Sequence, residues 1–175
     1  GDEANDWNQI ESERIARVAS EKAAAWKGAT ELDTVDYTCI LEPTAVGMLM
    51  LRLAYDLDVR PADEGRSVFS KPGGGNRIGE ELFDSRVTIL SDPARKDAET
   101  APFNGSGEPM KRTVWVENGA LKNLSCSRFW AERQGRAPLP DPQNLIVEGG
   151  SDSVEDMIAS TERGVLITRF WYIRG

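Results

Sequence analysis

The sequence predicts an α+β domain with mixed or antiparallel strand pairing, a buried helix after the first strand and a short helix before the last. Three observations carry that class. Strand-like segments outnumber helical ones and do not alternate regularly with them, which argues against a doubly wound sheet. Helical periodicity is confined to three separate stretches. Asn118-Gly119 stands between two short apolar runs, the signature of a hairpin on a two-residue turn.

In chain order, Asp6 to Lys27 has helical spacing. Ile15, Val18, Ala19, the Lys22 stem and Trp26 lie on one stripe, with Asp6 as the expected N-cap and Gly28 as the stop. Val35 to Leu41 alternates like a strand, with Val35, Tyr37, Cys39 and Leu41 on its inward face. Pro43 opens a second helix running to about Leu57, in the one helical turn where a missing N–H costs nothing. Its residues are apolar nearly all round, so burial is expected. Residues 60–79 read as loop. Val87–Leu90 is a strand stopped by Ser91-Asp92-Pro93, and Ala94 to Glu108 is a polar connection. The hairpin runs from Arg112 to Leu124, and Leu145–Glu148 is another strand. Asp152-Ser153 begins a helix of capping-box character that carries Val154, Met157 and Ile158 inward and ends by Gly164, and Val165–Ile173 is the final strand.

The 175 residues contain 21 Lys+Arg against 29 Asp+Glu, a net charge of −8, and no histidine. Without imidazole, no Ser-His-Asp triad, no Cys-His dyad and no His-based zinc site can be assembled from this chain. Two cysteines, Cys39 and Cys126, cannot make a Cys₄ site, and two buried reduced thiols are expected. The acidic balance disfavours a nucleic-acid backbone as partner. The longest apolar run, Val46–Leu51, is too short to cross a bilayer.

Other motifs yield little chemistry. Gly73-Gly74-Gly75-Asn76-Arg77-Ile78-Gly79 invites a phosphate-loop reading but lacks the Gly-Lys-Ser/Thr ending and a strand directly before it, so a plain loop is expected. Asp63-Glu64 and Glu80-Glu81 are sequence neighbours whose side chains point apart, so neither forms an acid/base dyad and both read as solvated surface. Arg128 near Cys126 could lower its pKa, yet without a His partner an inert thiol is expected. Trp115, Phe129, Trp130, Phe170, Trp171 and Tyr172 read as aromatics of strand-like segments. The last three would put rings on both faces of one strand, so one face could be covered from outside the chain. Asn123-Leu124-Ser125 matches a glycosylation sequon, a motif too common to weigh.

Tyr37 to Val46, centred on Leu41-Glu42-Pro43, resembles the start of the C-terminal domain of the TldD/PmbA (TldE) family, a zinc-metallopeptidase system also labelled modulators of DNA gyrase. Further similarities follow in the family's order. They are Arg66–Ser70 with Ile78–Leu82, Val87–Pro93, Pro102–Pro109 with Val114–Lys122, Pro142–Leu145, and Met157-Ile158 through Thr168-Arg169-Phe170. The resemblance implies that residues 1–33 are the helical tail of a preceding domain and 34–175 a partial C-terminal domain, the chain being a piece of a longer protein.

Catalytic members of that family carry HExxxH on the helix after the Leu41-Glu42-Pro43 region. Aligned there, Leu51 and Asp56 stand at the histidine positions and Arg52 at the glutamate position. An alkyl group and a cation cannot replace a zinc ligand and a general base. Neither Cys39 nor Cys126 matches the family's cysteine ligand. The resemblance therefore implies no catalytic, cofactor-binding or metal residue in this chain. It implies a TldE-like subunit of a cytoplasmic peptidase that acts on unfolded peptides, partnered by a TldD-like catalytic subunit or a second copy of itself. An active peptidase or hydrolase with catalytic residues elsewhere, and a gyrase-interacting regulator, are the alternative expectations.

Overall fold

A computed structural model describes residues 7–173. Two compact units divide between Tyr37 and Thr38. The first holds a 3₁₀ turn at Trp7–Gln9, helix α1 at Ser12–Ala25 and a second 3₁₀ turn at Trp26–Gly28. The expected cap, Asp6, lies outside the described residues. Helix α1 follows Glu11 with no side-chain cap. Its apolar stripe is present but is not a core stripe: no residue of α1 is buried, and Trp26 is 81% exposed. Among the described residues of this unit, no second α-helix or sheet covers it.

The second unit is α+β, as the sequence predicts. It contains β1 (Thr38–Leu41), α2 (Pro43–Asp56), α3 (Val59–Asp63), β2 (Thr88–Ser91), β3 (Thr113–Glu117), β4 (Ala120–Leu121), α4 (Arg128–Gln134), β5 (Ile146–Glu148), α5 (Val154–Ala159) and β6 (Gly164–Ile167). β1 and β6 form a two-stranded parallel sheet, and the other strands form an antiparallel sheet in the order β4-β3-β2-β5. The hairpin is where the sequence puts it. Asn118 and Gly119 take φ of 48° and 81°, the left-handed conformations a two-residue turn requires.

The core lies against the antiparallel sheet. Trp115, Val116, Ile89 and Leu121 meet Val59 and Ala62 of α3, Phe69, and Trp130 and Ala131 of α4. The chain leaving α2 is stitched to the chain approaching α4: Val59 N donates to Ser125 O at 2.9 Å and Ser125 N to Leu57 O at 2.8 Å. The Trp115 indole donates to Ser91 Oγ at 2.8 Å, and that hydroxyl donates to the Asn144 carbonyl. The buried indole N–H is thereby satisfied across three segments.

Five expectations need correction. On β1 it is Ile40, 8% exposed, that is buried, whereas Cys39 is exposed. Among the described residues β1 has only β6 beside it, and its Ile40 face looks toward Ile158 and Thr161 around a small cavity of about 160 Å³. Helix α2 is not buried all round. Ala45 is its only buried residue; Leu51, 62% exposed, borders an open cleft, and Tyr55 is 72% exposed outside the cleft lining. Phe129 and Trp130 sit on α4, not on a strand, and α3 occupies the start of the expected loop 60–79. The last strand stops at Ile167, so Trp171 and Tyr172 lie beyond it, 85% and 70% exposed. With a single neighbour, β6 has no ladder to extend the strand further.

Helix α5 has the expected capping box and ends at Ala159. Ser153 Oγ accepts from Asp156 N at 3.0 Å, and Asp156 Oδ2 accepts from Ser153 N at 3.0 Å. The Ser153 hydroxyl and amide hold the Asp156 carboxyl below its ordinary range. A lowered carboxyl pKa stabilises the fold above its unfolded value, and that contribution is lost as pH falls through the folded one. Ser153→Ala is expected to cost about 1 kcal/mol of local helix stability. Amide exchange in α5 should quicken in the variant and become less acid-sensitive, the residue-153 amide still donating to Asp156; unchanged exchange would refute the capping role.

Candidate functional site

A cleft of about 680 Å³ lies within the second unit. One wall is α2, presenting Pro43, Val46, Gly47, Met50, Leu51 and Ala54 at helical spacing. Pro43 at the first helical position fixes where that wall begins. The facing wall is Pro142–Leu145 with Val147, and the end is closed by Asp152, Val154 and Met157. The facing wall is held by Asn144, whose side-chain amide donates to Asp92 O at 3.0 Å and to Ala98 O at 2.6 Å, while its Oδ1 accepts from Asp92 N at 3.2 Å. The lining is mostly apolar, with Gln143, Asn144 and Asp152 as its polar members, and the volume falls in the range of ligand clefts.

The three positions where the family resemblance places HExxxH lie on this helix. Arg52 and Asp56 pair with each other at 3.4 Å, one turn apart, and Leu51 projects an alkyl group outward. A guanidinium beside the one carboxylate, with no imidazole in the sequence, is a donor set that does not fit zinc. No group of three His, Cys, Asp or Glu side chains able to hold a metal occurs among the described residues.

The other sequence candidates are placed elsewhere. Gly73, Gly74, Gly75 and Gly79 all take positive φ, and the N–H groups of Gly74, Arg77 and Gly79 donate to carbonyls of Lys71, Phe69 and Leu121. Those donors hold the loop together and are not aimed at an anion. Glu64 is held below its usual pKa by Arg66 and Arg60, and Glu80 by Arg77 and Lys71. Neither is half of an acid/base dyad. Asp63, read as solvated surface, is instead largely buried and accepts from Asn76 Nδ2 at 2.7 Å and Trp130 Nε1 at 3.0 Å, with Arg136 at 3.2 Å. Burial pushes the Cys126 thiol up, outweighing the pull of Arg136, so it is a poor nucleophile. The expected companion, Cys39, is exposed rather than buried, since its face of β1 is uncovered. Asn123 of the sequon donates its side-chain amide to Val114 O at 2.7 Å beside buried Leu124, a poor glycan acceptor.

Two features of the site region were missed. Helix α4 had a readable signal: Ser127 caps it by accepting from Trp130 N at 3.3 Å, and Gly135 ends it at φ 63°. Asn144 had none, because its partners lie 46 to 52 positions away.

The α+β fold is shared with solved proteins. A candidate modulator of a DNA gyrase from Thermotoga maritima superposes with a TM-score of 0.84 at 24% identity, covering 95% of this chain and 40% of that one. TldE from Thermococcus kodakarensis superposes with a TM-score of 0.78 at 19% identity, covering 94% and 40%. Residues 34–175 match the PmbA/TldA metallopeptidase C-terminal domain, and the chain belongs to that family. Among curated relatives, an uncharacterized protein of Methanocaldococcus jannaschii is 27% identical over 79% of this chain and 33% of its own length. A metalloprotease of Methanothermobacter thermautotrophicus is 24% identical over 93% of this chain and 36% of its own. The chain thus spans about a third of the length of the curated relatives it matches.

Proposed function

We propose that this chain is part of a TldE-like, non-catalytic subunit of a TldD/TldE-type peptidase. In that role it supplies a peptide-binding wall, while zinc and its activated water reside in a TldD-like partner. The observation that carries this reading is the Arg52–Asp56 ion pair on the cleft helix of a chain without histidine. A cation at the base position repels Zn²⁺ and cannot accept a proton from water. The apolar lining and open form of the cleft suit side chains of an unfolded segment. In the same reading, residues 1–33 are the tail of a preceding region, 34–175 are part of the C-terminal domain, and the assembly is a cytoplasmic dimer. The surplus of acid over base favours a protein or peptide partner over DNA.

The test is metal content and peptidase activity of the purified protein, alone and mixed with a family member that retains HExxxH. The expected result is sub-stoichiometric zinc and no activity alone, with activity and co-elution in the mixture. Stoichiometric zinc that supports peptide hydrolysis by the protein alone would overturn the reading.

A further inference from the structure

The cleft contains one charged lining residue, Asp152. It stands immediately before the Ser153 cap of α5, at the end of the cleft where Val154 and Met157 also face inward. Asp56 is paired with Arg52, the Asp92 carboxylate accepts from Ala94 N at 2.9 Å, and Asp141, before Pro142, is exposed outside the lining. No hydrogen bond or ion pair engages Asp152 among the described residues. An ionised carboxylate without a partner, at the rim of an apolar surface, attracts a cation more strongly than one in open water. The net charge of −8 steers cationic ligands toward the protein in the same sense.

The remaining lining defines what accompanies that cation. Met50 and Met157 place two flexible thioethers in the cleft, which adapt to side chains of varied shape. Gly47 and Ala54 lower the α2 wall, and no atom lies within 4 Å of where a Gly47 Cβ would be. Space is therefore left along the helix for a row of apolar side chains. We propose that the cleft selects apolar peptide segments bearing a lysine or arginine, with the cation beside Asp152 and the apolar side chains against α2. This specificity rests on the reading of the cleft as a peptide-binding wall.

Fluorescence anisotropy with three labelled, unstructured peptides tests it. The peptides are identical in their Leu and Phe residues and differ at one flanking position, which is Lys, Gln or Glu. The purified protein is expected to bind the Lys peptide roughly three- to tenfold more tightly than the Glu peptide, the scale of one exposed ion pair gained and one repulsion avoided. Asp152→Asn should abolish that discrimination, bringing the three affinities to within about twofold of one another. Gly47→Leu, which puts a side chain into the open space, should weaken all three by tenfold or more with an unaltered melting transition. Equal binding of the three peptides, a Lys preference that survives Asp152→Asn, or binding indifferent to Gly47→Leu would each overturn the assignment. So would self-association that Gly47→Leu disrupts without any peptide bound, which would give the cleft to a second copy. Peptide binding without charge preference sinks the specificity alone, whereas stoichiometric zinc with activity sinks the non-catalytic reading alone.

Discussion

Gly119→Ala is expected to lower the stability of the second unit by about 3 to 5 kcal/mol, more than an ordinary surface-turn substitution. Two independent effects act together. At φ 81° an L-residue carries the left-handed penalty, about 1 to 2 kcal/mol. The second effect is steric. An added Cβ would lie 2.4 Å from the Phe83 carbonyl oxygen and 2.9 Å from that of Asp84, both main-chain atoms that cannot rotate aside. The close approach exists because the turn is docked onto a strap of chain. Leu82 N and Phe83 N donate to Gly119 O at 3.0 and 3.1 Å, and Gly119 N donates to Val87 O at 2.9 Å. Moving the strap to admit a methyl group breaks these bonds at the edge of the core that holds Leu121 and Trp115. Urea unfolding followed by Trp fluorescence measures the loss. Asn118→Gly, at a position that also takes positive φ, is the control and should cost well under 1 kcal/mol. A Gly119→Ala midpoint within error of that control would mean the docking is wrong.

The same turn shows what local sequence can specify. Asn118-Gly119, Pro43 and the Ser153–Asp156 pair each act through their own backbone or neighbours within three residues, and each element formed where such signals placed it. The failures share the opposite cause. The inward face of β1 depends on which side α5 covers, and the length of β6 on having one strand neighbour instead of two. The α1 stripe has ordinary core periodicity, yet periodicity states what could be buried, not what lies opposite. At the site, the absence of histidine was readable from composition, and the family from collinear motifs. The cleft was not, because its walls come from segments about 100 positions apart and its facing wall hangs on Asn144.

Asp63 is the clearest residue of that kind, and its removal is the second large effect expected. In sequence it is one of two adjacent acids, indistinguishable from Glu64. In the fold its side chain is 15% exposed and receives three groups from three segments: the Asn76 amide, the Trp130 indole and the Arg136 guanidinium. Asp63→Ala leaves the indole N–H of a tryptophan that is only 8% exposed without its acceptor and removes the counter-charge of Arg136. The expected cost is about 2 to 4 kcal/mol, the range for stranding buried partners. Asp63→Asn keeps one carbonyl oxygen for the indole or the Asn76 amide and should cost roughly half as much. A double-mutant cycle with Trp130→Phe isolates the indole bond and should show coupling of about 1 kcal/mol. None of the three partners lines the cleft, so below its melting transition Asp63→Ala should bind peptide as the parent protein does. An Ala variant as stable as the Asn variant would show that the three contacts do not hold the α3–α4 scaffold, and one that loses peptide affinity while still folded would show that Asp63 serves the cleft.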